Sequence, residues 1–262
     1  MPRPSAGMLG RFTAPTIAQA QPGVWSLRDQ SLYAAAVAWP AGRLTALLLD
    51  CNGTNGATSF PDSSRFGRSV TANSVTVSTS VVKYGTGSAT FNGTSSSLVV
   101  PDSSSLELGG NSFVIEFWML TTSSTQYATL VSREPAPYGS GMWSFLMNNA
   151  SSTAGDLAFY SFEGRSPVVT TSGVSIRDGA WHHVALVRSG NVHSIYVDGT
   201  RRGTATTAGY SVVDIAGDVY IGRDQFYGRY FAGNLDDIRL TIGGAAGYSG
   251  ATITVPAAAL TA

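Results

Sequence analysis

The chain has 262 residues, with 16 basic and 16 acidic side chains, and only 12% of its residues are charged. A net charge of zero argues against a general nucleic-acid-binding protein, because such a protein needs an excess of Lys and Arg to displace counterions from phosphate. The single cysteine, Cys51, excludes a disulfide framework and a cysteine-based zinc site. No apolar run is long enough to cross a bilayer, so we expect no membrane insertion.

Residues 1–43 differ in composition from the rest of the chain. They begin with an arm punctuated by Pro and Gly and continue with Ser26-Leu27-Arg28-Asp29, a pattern typical of a capped helix N-terminus. Pro40 would end this short helix, and the sequence predicts no other. The first thirty residues lack the continuous apolar stretch of a signal peptide, so we expect synthesis in the cytoplasm.

From Leu44 onward, short apolar segments alternate with turn signals, which is typical of a β-sandwich or barrel. Residues 54–82 are polar and predict a long loop with weak edge pairing. The predicted strands are Leu44–Leu49, Ser88–Phe91, Ser97–Val100, Phe113–Leu120, Thr129–Ser132, Trp143–Met147, Leu157–Ser161, Trp181–Arg188, Val192–Val197, Gly203–Thr207, Val219–Ile221 and Leu235–Ile242.

Two of these strands carry the clearest signals. The segment Phe113–Leu120 is largely apolar on both faces, so this strand should lie centrally in its sheet, with Trp118 buried and Glu116 as the exception. The segment Val192–Val197 leads into Asp198-Gly199, which predicts a two-residue hairpin turn, because a type I′ turn needs positive φ at both positions.

Seven short motifs follow one another from Leu47 to Arg239: Leu47-Leu48-Leu49-Asp50-Cys51-Asn52-Gly53-Thr54, Lys83-Tyr84-Gly85-Thr86-Gly87-Ser88-Ala89, Phe91-Asn92-Gly93-Thr94 with Leu98-Val99-Val100-Pro101, Phe113-Val114-Ile115-Glu116-Phe117-Trp118, Trp181-His182-His183-Val184-Ala185, Tyr196-Val197-Asp198-Gly199 and Gly233-Asn234-Leu235-Asp236-Asp237-Ile238-Arg239. In this order they resemble the laminin-G-like, concanavalin A-type lectin domain. The resemblance implies an all-β fold, a two-sheet antiparallel jelly-roll sandwich over residues 44–262, preceded by the arm of residues 1–43. The fold alone does not give a function, since it carries lectins, glycosidases and structural modules.

The last strand and the Pro/Ala-containing tail after it resemble the version of this domain that is common in bacteriophage virion proteins. That resemblance implies a non-enzymatic structural protein of the virion, a tail fibre, spike or capsid decoration subunit whose domain aids host attachment. The apolar side chains of residues 1–43 must be covered, so we expect this arm to dock on other virion proteins and to anchor a homo-oligomer, by analogy a trimer. Candidate docking residues are Phe12, Trp25, Leu27, Tyr33 and Trp39.

Two alternative functions remain open, a lectin that binds a host-receptor glycan and a polysaccharide depolymerase. A glycosidase needs two carboxyl groups across a cleft. Glu116 is followed by no second acid on its strand, so we predict no catalytic residues and no enzyme activity. His182 and His183 are adjacent and therefore point to opposite faces of a strand, where they cannot bind one metal ion together.

The resemblance also implies one structural calcium ion near the rim of the sandwich, bound by acids of the first and last strands. Asp50, Asp236 and Asp237 match those positions. Calcium takes roughly six to eight oxygen ligands. Strand alternation puts Asp236 on the apolar side with Ile238, where a carboxylate needs either a cation or backbone donors. A calcium site and a hydrogen-bonded structural aspartate are both compatible with the sequence.

Two loops, residues 133–143 and 223–231, combine aromatic rings with arginines. Exposed rings beside polar groups are typical of sugar sites, but Tyr and Arg are also enriched in protein interfaces. The sequence therefore predicts a glycan site, an interface or, for some positions, core packing. The candidates are Arg133, Tyr138, Arg223, Phe226, Tyr227, Arg229 and Tyr230.

Overall fold

A computed structural model describes residues 44–133, 142–148, 155–161, 167–212, 216–245 and 247–262. The predicted arm, its helix and its docking candidates Phe12, Trp25, Leu27, Tyr33 and Trp39 lie outside the described residues, as does Tyr138. No helix within the described ranges is long and apolar enough to cross a membrane.

The described residues form strands joined by turns and loops, with one short 3₁₀ helix at Ser104–Leu106. The sequence pattern predicts twelve of the strands to within a few residues and misses the short strand β10. The weak edge pairing predicted for residues 54–82 is confirmed by two short edge strands, β2 and β3, whose bounds the pattern does not give. The strands are β1 Leu44–Leu49, β2 Thr71–Asn73, β3 Thr76–Ser78, β4 Ser88–Asn92, β5 Ser97–Val100, β6 Phe113–Leu120, β7 Thr129–Arg133, β8 Trp143–Met147, β9 Leu157–Ser161, β10 Pro167–Thr170, β11 Trp181–Ser189, β12 Val192–Val197, β13 Thr200–Thr206, β14 Val219–Ile221 and β15 Ala232–Ile242.

These strands make two antiparallel sheets. The eight-stranded sheet has the order β13-β12-β11-β6-β15-β4-β3, and β1 also pairs with β15. The seven-stranded sheet has the order β10-β9-β8-β7-β14-β5-β2. One apolar cluster, drawn from strands of both sheets, fills the space between them. The predicted all-β, two-sheet antiparallel sandwich is therefore confirmed.

Strand β6 lies in the middle of the eight-stranded sheet, between β11 and β15, as its sequence predicts. Phe113, Ile115 and Phe117 belong to the cluster between the sheets. Alternation turns Glu116 and Trp118 away from that cluster, and both are nevertheless buried. We call the side of the eight-stranded sheet that carries Glu116 and Trp118 the outer face.

The hairpin between β12 and β13 has the predicted turn. Asp198 and Gly199 have φ of 49° and 76°, the positive values that a type I′ turn requires. A Cβ on Gly199 would also lie 2.7 Å from the carbonyl oxygen of Ile253. Glycine is needed here both for the turn and for the close approach of the chain near its C-terminus.

Residues 247–262, the C-terminal segment, cross the outer face. Tyr248 is buried there in an apolar cluster with Val114, Ala185, Val187 and Tyr196. Hydrogen bonds fix the segment to the sheet at both ends: Tyr196 Oη to Gly250 O at 3.0 Å, Arg201 N to Ala251 O at 2.9 Å, Ile253 N to Gly199 O at 2.8 Å, Tyr84 Oη to Pro256 O at 2.9 Å and Arg239 Nη1 to Thr261 O at 2.9 Å. The middle of the outer face is thus covered by the chain itself.

His193 of β12 is a buried histidine on the core side of the sheet. Its ring stacks on Phe159 with 6.0 Å between centroids and meets Tyr210 edge-on at 5.3 Å. Its Nε2 has no hydrogen-bond partner among the described residues. Burial, reinforced by the positive charge of Arg188, lowers the pKa of His193 to about 4. The folded protein keeps this ring neutral at a pH where an unfolded histidine, with a pKa of about 6.5, binds a proton.

We therefore expect His193 to make the protein less stable in acid. Between about pH 6.5 and pH 4 only the unfolded chain binds the extra proton, so the free energy of unfolding should fall by roughly 3 kcal/mol from this residue as the pH drops. The His193→Phe variant has no such proton-binding group. Its free energy of unfolding should therefore fall less than that of the wild type over the same pH range. Urea unfolding at several pH values measures both profiles, and parallel profiles would contradict the assignment.

Candidate functional site

The three calcium candidates lie where β1 ends and where β15 is interrupted. Asp236 accepts backbone N–H hydrogen bonds from Lys83 and Tyr84, both at 3.1 Å, and from Asp237 at 2.9 Å. Burial raises the pKa of Asp236 to about 7 against the effect of these donors. Backbone donors, one of the two possibilities that the sequence leaves open, therefore surround this carboxylate.

The other two carboxylates are also partnered by the protein. Asp237 Oδ2 accepts the N–H of Leu260 at 3.1 Å, and Asp50 Oδ2 accepts the hydroxyl of Ser63 at 3.2 Å. Within the described residues no group of three or more His, Cys, Asp or Glu side chains is placed to bind a metal ion. The calcium site stays a prediction, and we assign no role to a metal there.

The prediction that Asp236 shares a face with Ile238 is wrong. Strand β15 has a register shift between Asp236 and Arg239, and Asp237 within it has φ of 49°. Asp236 pairs with Trp118, which lies on the outer face, whereas Ile238 packs in the core between the sheets. The bulge reverses the alternation, and strict period-two counting cannot detect it.

Glu116, the acid relevant to a depolymerase, forms a buried network on the outer face. Its Oε1 accepts Arg239 Nη2 at 2.6 Å, and its Oε2 lies 3.2 Å from His183 Nε2 and accepts the hydroxyl of Tyr248. Burial alone would raise the pKa of Glu116, but the hydrogen bonds and the Arg239 charge outweigh it and place the pKa below its ordinary value. A fully buried, ionised carboxylate cannot meet a polysaccharide or protonate a leaving group.

The two adjacent histidines have separate structural partners. His182 lies near the surface, with Nδ1 2.7 Å from Asp198 Oδ2 and Nε2 3.0 Å from Asp178 Oδ1. These acids raise the pKa of His182, although burial opposes them. His183 lies in the Glu116 network, so the two rings serve different contacts, as their adjacency predicts.

An aromatic surface forms where the β6–β7 connection meets the β14–β15 connection. The guanidinium of Arg229 lies 4.5 Å from the ring centroid of Tyr127 and 4.2 Å from that of Tyr227. The Thr129 N–H donates to the Arg229 carbonyl at 3.2 Å and so joins the start of β7 to the β14–β15 connection. We call Tyr127, Phe226, Tyr227 and Arg229 the rim platform.

The rim platform presents exposed rings on an ordered turn. Tyr227 is 51% exposed and Phe226 is 36% exposed. The carboxylate of buried Asp224 accepts the N–H of Tyr227 at 2.6 Å, and its other oxygen lies 3.7 Å from Arg229 Nε. Burial raises the pKa of Asp224, while the hydrogen bond from Tyr227 and the Arg229 charge act against that rise. This acid therefore fixes the turn that carries the rings.

The structure brings only some of the predicted glycan or interface residues together. Phe226, Tyr227 and Arg229 lie together in the rim platform, and Arg223 covers the ring of Tyr220 at 4.8 Å. Tyr230 follows in the same connection and is half-buried.

Arg133 is one of the candidates that pack inside the domain and not at an exposed site. It is 2% exposed, and its Nε donates to the Gly217 carbonyl at 3.0 Å. Its Nη2 pairs with Asp102 at 2.5 Å. The guanidinium thus links β7 to the residue Asp102 after β5 and to Gly217 before β14.

Tyr127 is a rim platform residue that the sequence analysis does not identify. It lies in a polar connection far from residues 222–231 in sequence, and its φ of 56° marks a tight turn. Its ring joins the rim platform through the contact with the Arg229 guanidinium, which no local sequence pattern indicates.

Comparison with known proteins finds one matching family model and several solved structures with a similar fold. A family model described as the concanavalin A-like lectin/glucanases superfamily matches residues 92–241. No curated protein sequence matches the chain. Among solved structures, domain 4 of AbnA, a GH43 extracellular arabinanase from Geobacillus stearothermophilus, in complex with arabinotriose, is similar with a TM-score of 0.59 and 16% identity. That match covers 81% of this chain and 95% of the arabinanase domain.

Toxin binding domains are also similar in fold. The binding domain of Paraclostridial Mosquitocidal Protein 1 gives a TM-score of 0.55 at 14% identity, over 74% of this chain and 48% of that one. The binding domain of botulinum neurotoxin serotype D gives 0.53 at 15% identity, over 76% and 48%. The chain thus spans about half the length of these toxin domains, and at such low identity the likeness concerns the fold alone.

Proposed function

We propose, from the premise that the chain belongs to the concanavalin A-like lectin/glucanases superfamily, that its sandwich is a non-catalytic carbohydrate-binding module with the rim platform as its glycan site. The match covers 95% of the arabinanase domain, and the structure of that domain is a complex with arabinotriose. That likeness supports a glycan as the ligand class.

The observation that carries the proposal is the exposure of Phe226 and Tyr227 on a turn ordered by Asp224. An aromatic ring offers an apolar face to the C–H groups of a sugar, and Tyr adds a hydroxyl at low cost in conformational entropy. Arg229 lies against Tyr227 and adds hydrogen-bond donors beside it. Because these groups are ordered before the ligand arrives, binding loses less freedom than it would on a flexible loop.

Glu116 is not available to act in a catalytic acid pair, which supports a binding role over a depolymerase. Glu116 is buried beneath the C-terminal segment, and its oxygens accept hydrogen bonds from Arg239 and Tyr248. A retaining or inverting glycosidase needs two carboxyl groups that reach the scissile bond. We therefore propose that the module binds its glycan without cleaving it.

The virion role is a separate proposal that rests on the sequence resemblance. It depends on residues 1–43 for assembly, and those lie outside the described residues. A glycan-binding domain displayed on a virion would serve host attachment, so the two proposals are compatible. Detection of the chain in purified particles by mass spectrometry tests the virion role independently of sugar binding.

A glycan array that includes arabino-oligosaccharides and bacterial surface polysaccharides tests the binding function. For any glycan that binds, we expect Tyr227→Ala to weaken the affinity at least about tenfold, equivalent to roughly 1.4 kcal/mol, because it removes the most exposed ring of the platform. Since Tyr227 is on the surface, the variant should unfold at nearly the wild-type urea concentration.

Phe66→Ala is the matched control. Phe66 also lies beneath arginine guanidiniums, with Arg65 at 4.9 Å and Arg68 at 4.3 Å, but it belongs to the β1–β2 connection. Its removal should leave glycan affinity unchanged. Equal affinity of the wild type and Tyr227→Ala for every bound glycan would move the site away from the rim platform, and binding of no glycan would reject the function.

A further inference from the structure

A groove of about 240 Å³ opens on the outer face beside the C-terminal segment. Strands β11, β12 and β13 form its floor and one side, and residues 248–250 form the other side. Val187 and Val192 supply apolar surface, and Ser189, Ser194 and Arg201 supply polar groups. The rim platform contributes no residue to this groove.

The walls of the groove are fixed by the fold. Val192 and Ser194 line it because alternation in β12 turns them to the outer face. Arg201 joins them because a register shift in β13 pairs it with Tyr196 on that face. Tyr196 Oη donates to the Gly250 carbonyl at 3.0 Å, and the Arg201 N–H donates to the Ala251 carbonyl at 2.9 Å. The C-terminal segment is therefore fastened to β12 and β13 along the groove, and the cavity does not depend on a loose loop.

Arg201 is the one charged residue of the groove lining. Its side chain is exposed and makes no ion pair with any described residue. The other polar side chains of the lining are hydroxyl groups. Val192 is one of three large apolar side chains that the described part of the chain leaves exposed, at 37%. An apolar floor, several hydroxyls and one free guanidinium thus face the same space.

We propose that this groove binds a single sugar unit that bears an acidic group, a carboxylate or a sulfate, with Arg201 as its cationic partner. The guanidinium fork matches the paired oxygens of either group. The valines receive the C–H face of the ring, and the serine hydroxyls face its hydroxyls. Pockets for drug-sized ligands span roughly 300–1,000 Å³, so a smaller groove suits one unit of a chain that continues into solvent.

This inference takes its ligand class from the proposed carbohydrate-binding function but uses a different surface. The rim platform offers aromatic rings and suits neutral sugars, whereas the groove selects for charge. The two sites can be tested with separate variants, so one can fail without the other.

The test uses trigalacturonic acid, its methyl ester and a sulfated galacto-oligosaccharide as probes, with affinity measured by titration calorimetry or ligand-observed NMR. We expect at least one acidic probe to bind at least tenfold more tightly than the uncharged methyl ester, and its affinity to fall as salt is added. Arg201→Gln should abolish this preference, and Arg201→Lys should restore part of it. Ser249→Trp, which adds bulk at an exposed position of the wall, should block binding.

Arg202→Gln is the matched control, since Arg202 is the exposed neighbour of Arg201 but does not line the groove. It should leave the preference for acidic probes intact. Equal losses in the two arginine variants, equal affinity for acid and ester, or no binding of either acidic probe would each overturn the proposal. Tyr227→Ala should not alter acidic binding, so loss in that variant alone would assign the ligand to the rim platform instead.

Discussion

Replacing Glu116 with alanine should destabilise the domain by about 3–5 kcal/mol, the usual effect of removing one partner from a buried ion pair. The substitution leaves the Arg239 guanidinium, whose side chain is 12% exposed, without its carboxylate. It also removes the acceptor for the Tyr248 hydroxyl and so releases one attachment of the C-terminal segment. Urea unfolding monitored by tryptophan fluorescence measures the loss.

Two further variants separate the charge from the packing. Glu116→Leu combined with Arg239→Met removes both charges and fills the space with apolar atoms, so the pair should cost less than the sum of the single substitutions. Additive effects would mean that Glu116 and Arg239 act independently, contrary to the 2.6 Å contact between them.

Trp118→Ala should cost about 3–5 kcal/mol, the range for deleting a large buried aromatic side chain. Trp118 is 5% exposed, with Tyr84 edge-on at 5.8 Å, His183 at 5.3 Å and Lys83 Nζ 3.9 Å from its ring centroid. Its removal leaves a cavity beneath the turn of Lys83 and Tyr84, whose N–H groups are fixed by Asp236. The turn cannot collapse into the cavity without breaking those bonds.

Trp118→Phe is the control, because it keeps an aromatic ring on the outer face and should cost much less. It also tests the indole N–H, which has no hydrogen-bond partner among the described residues. If the alanine variant unfolded at the wild-type urea concentration, the position of Trp118 under the Lys83 and Tyr84 turn would be wrong.

The strands were predictable because their signals are local. Apolar segments bounded by turn residues locate β6 and β12 to the residue, and Asp198-Gly199 encodes its own turn. The bounds of the short edge strands β2 and β3 were not predictable, since these strands are short and polar and form by pairing with β5 and β4. A sheet edge is thus defined by its neighbour more than by its own sequence.

The site residues were only partly predictable because they depend on long-range contacts. Phe226, Tyr227 and Arg229 are close in sequence and stand out as an aromatic, basic loop. Tyr127 joins them only where two connections meet. Arg133 lies apart from them because its guanidinium pairs with Gly217 and Asp102. Likewise, the polar partners of Glu116 come from β11, β15 and the C-terminal segment, which no local pattern relates to β6.

The crossing of the outer face by the C-terminal segment has a consequence for how this chain is synthesised. The Glu116–Tyr248 contact joins residues 132 apart in sequence, and the Tyr84–Pro256 contact joins residues 172 apart. Such non-local closure is slow, because the entropy of a long loop is lost before the contact forms. On the ribosome, Glu116 must wait without its tyrosine partner until residue 248 has emerged from the exit tunnel. The nascent sandwich therefore passes through a stage with its outer face open to solvent and to chaperones.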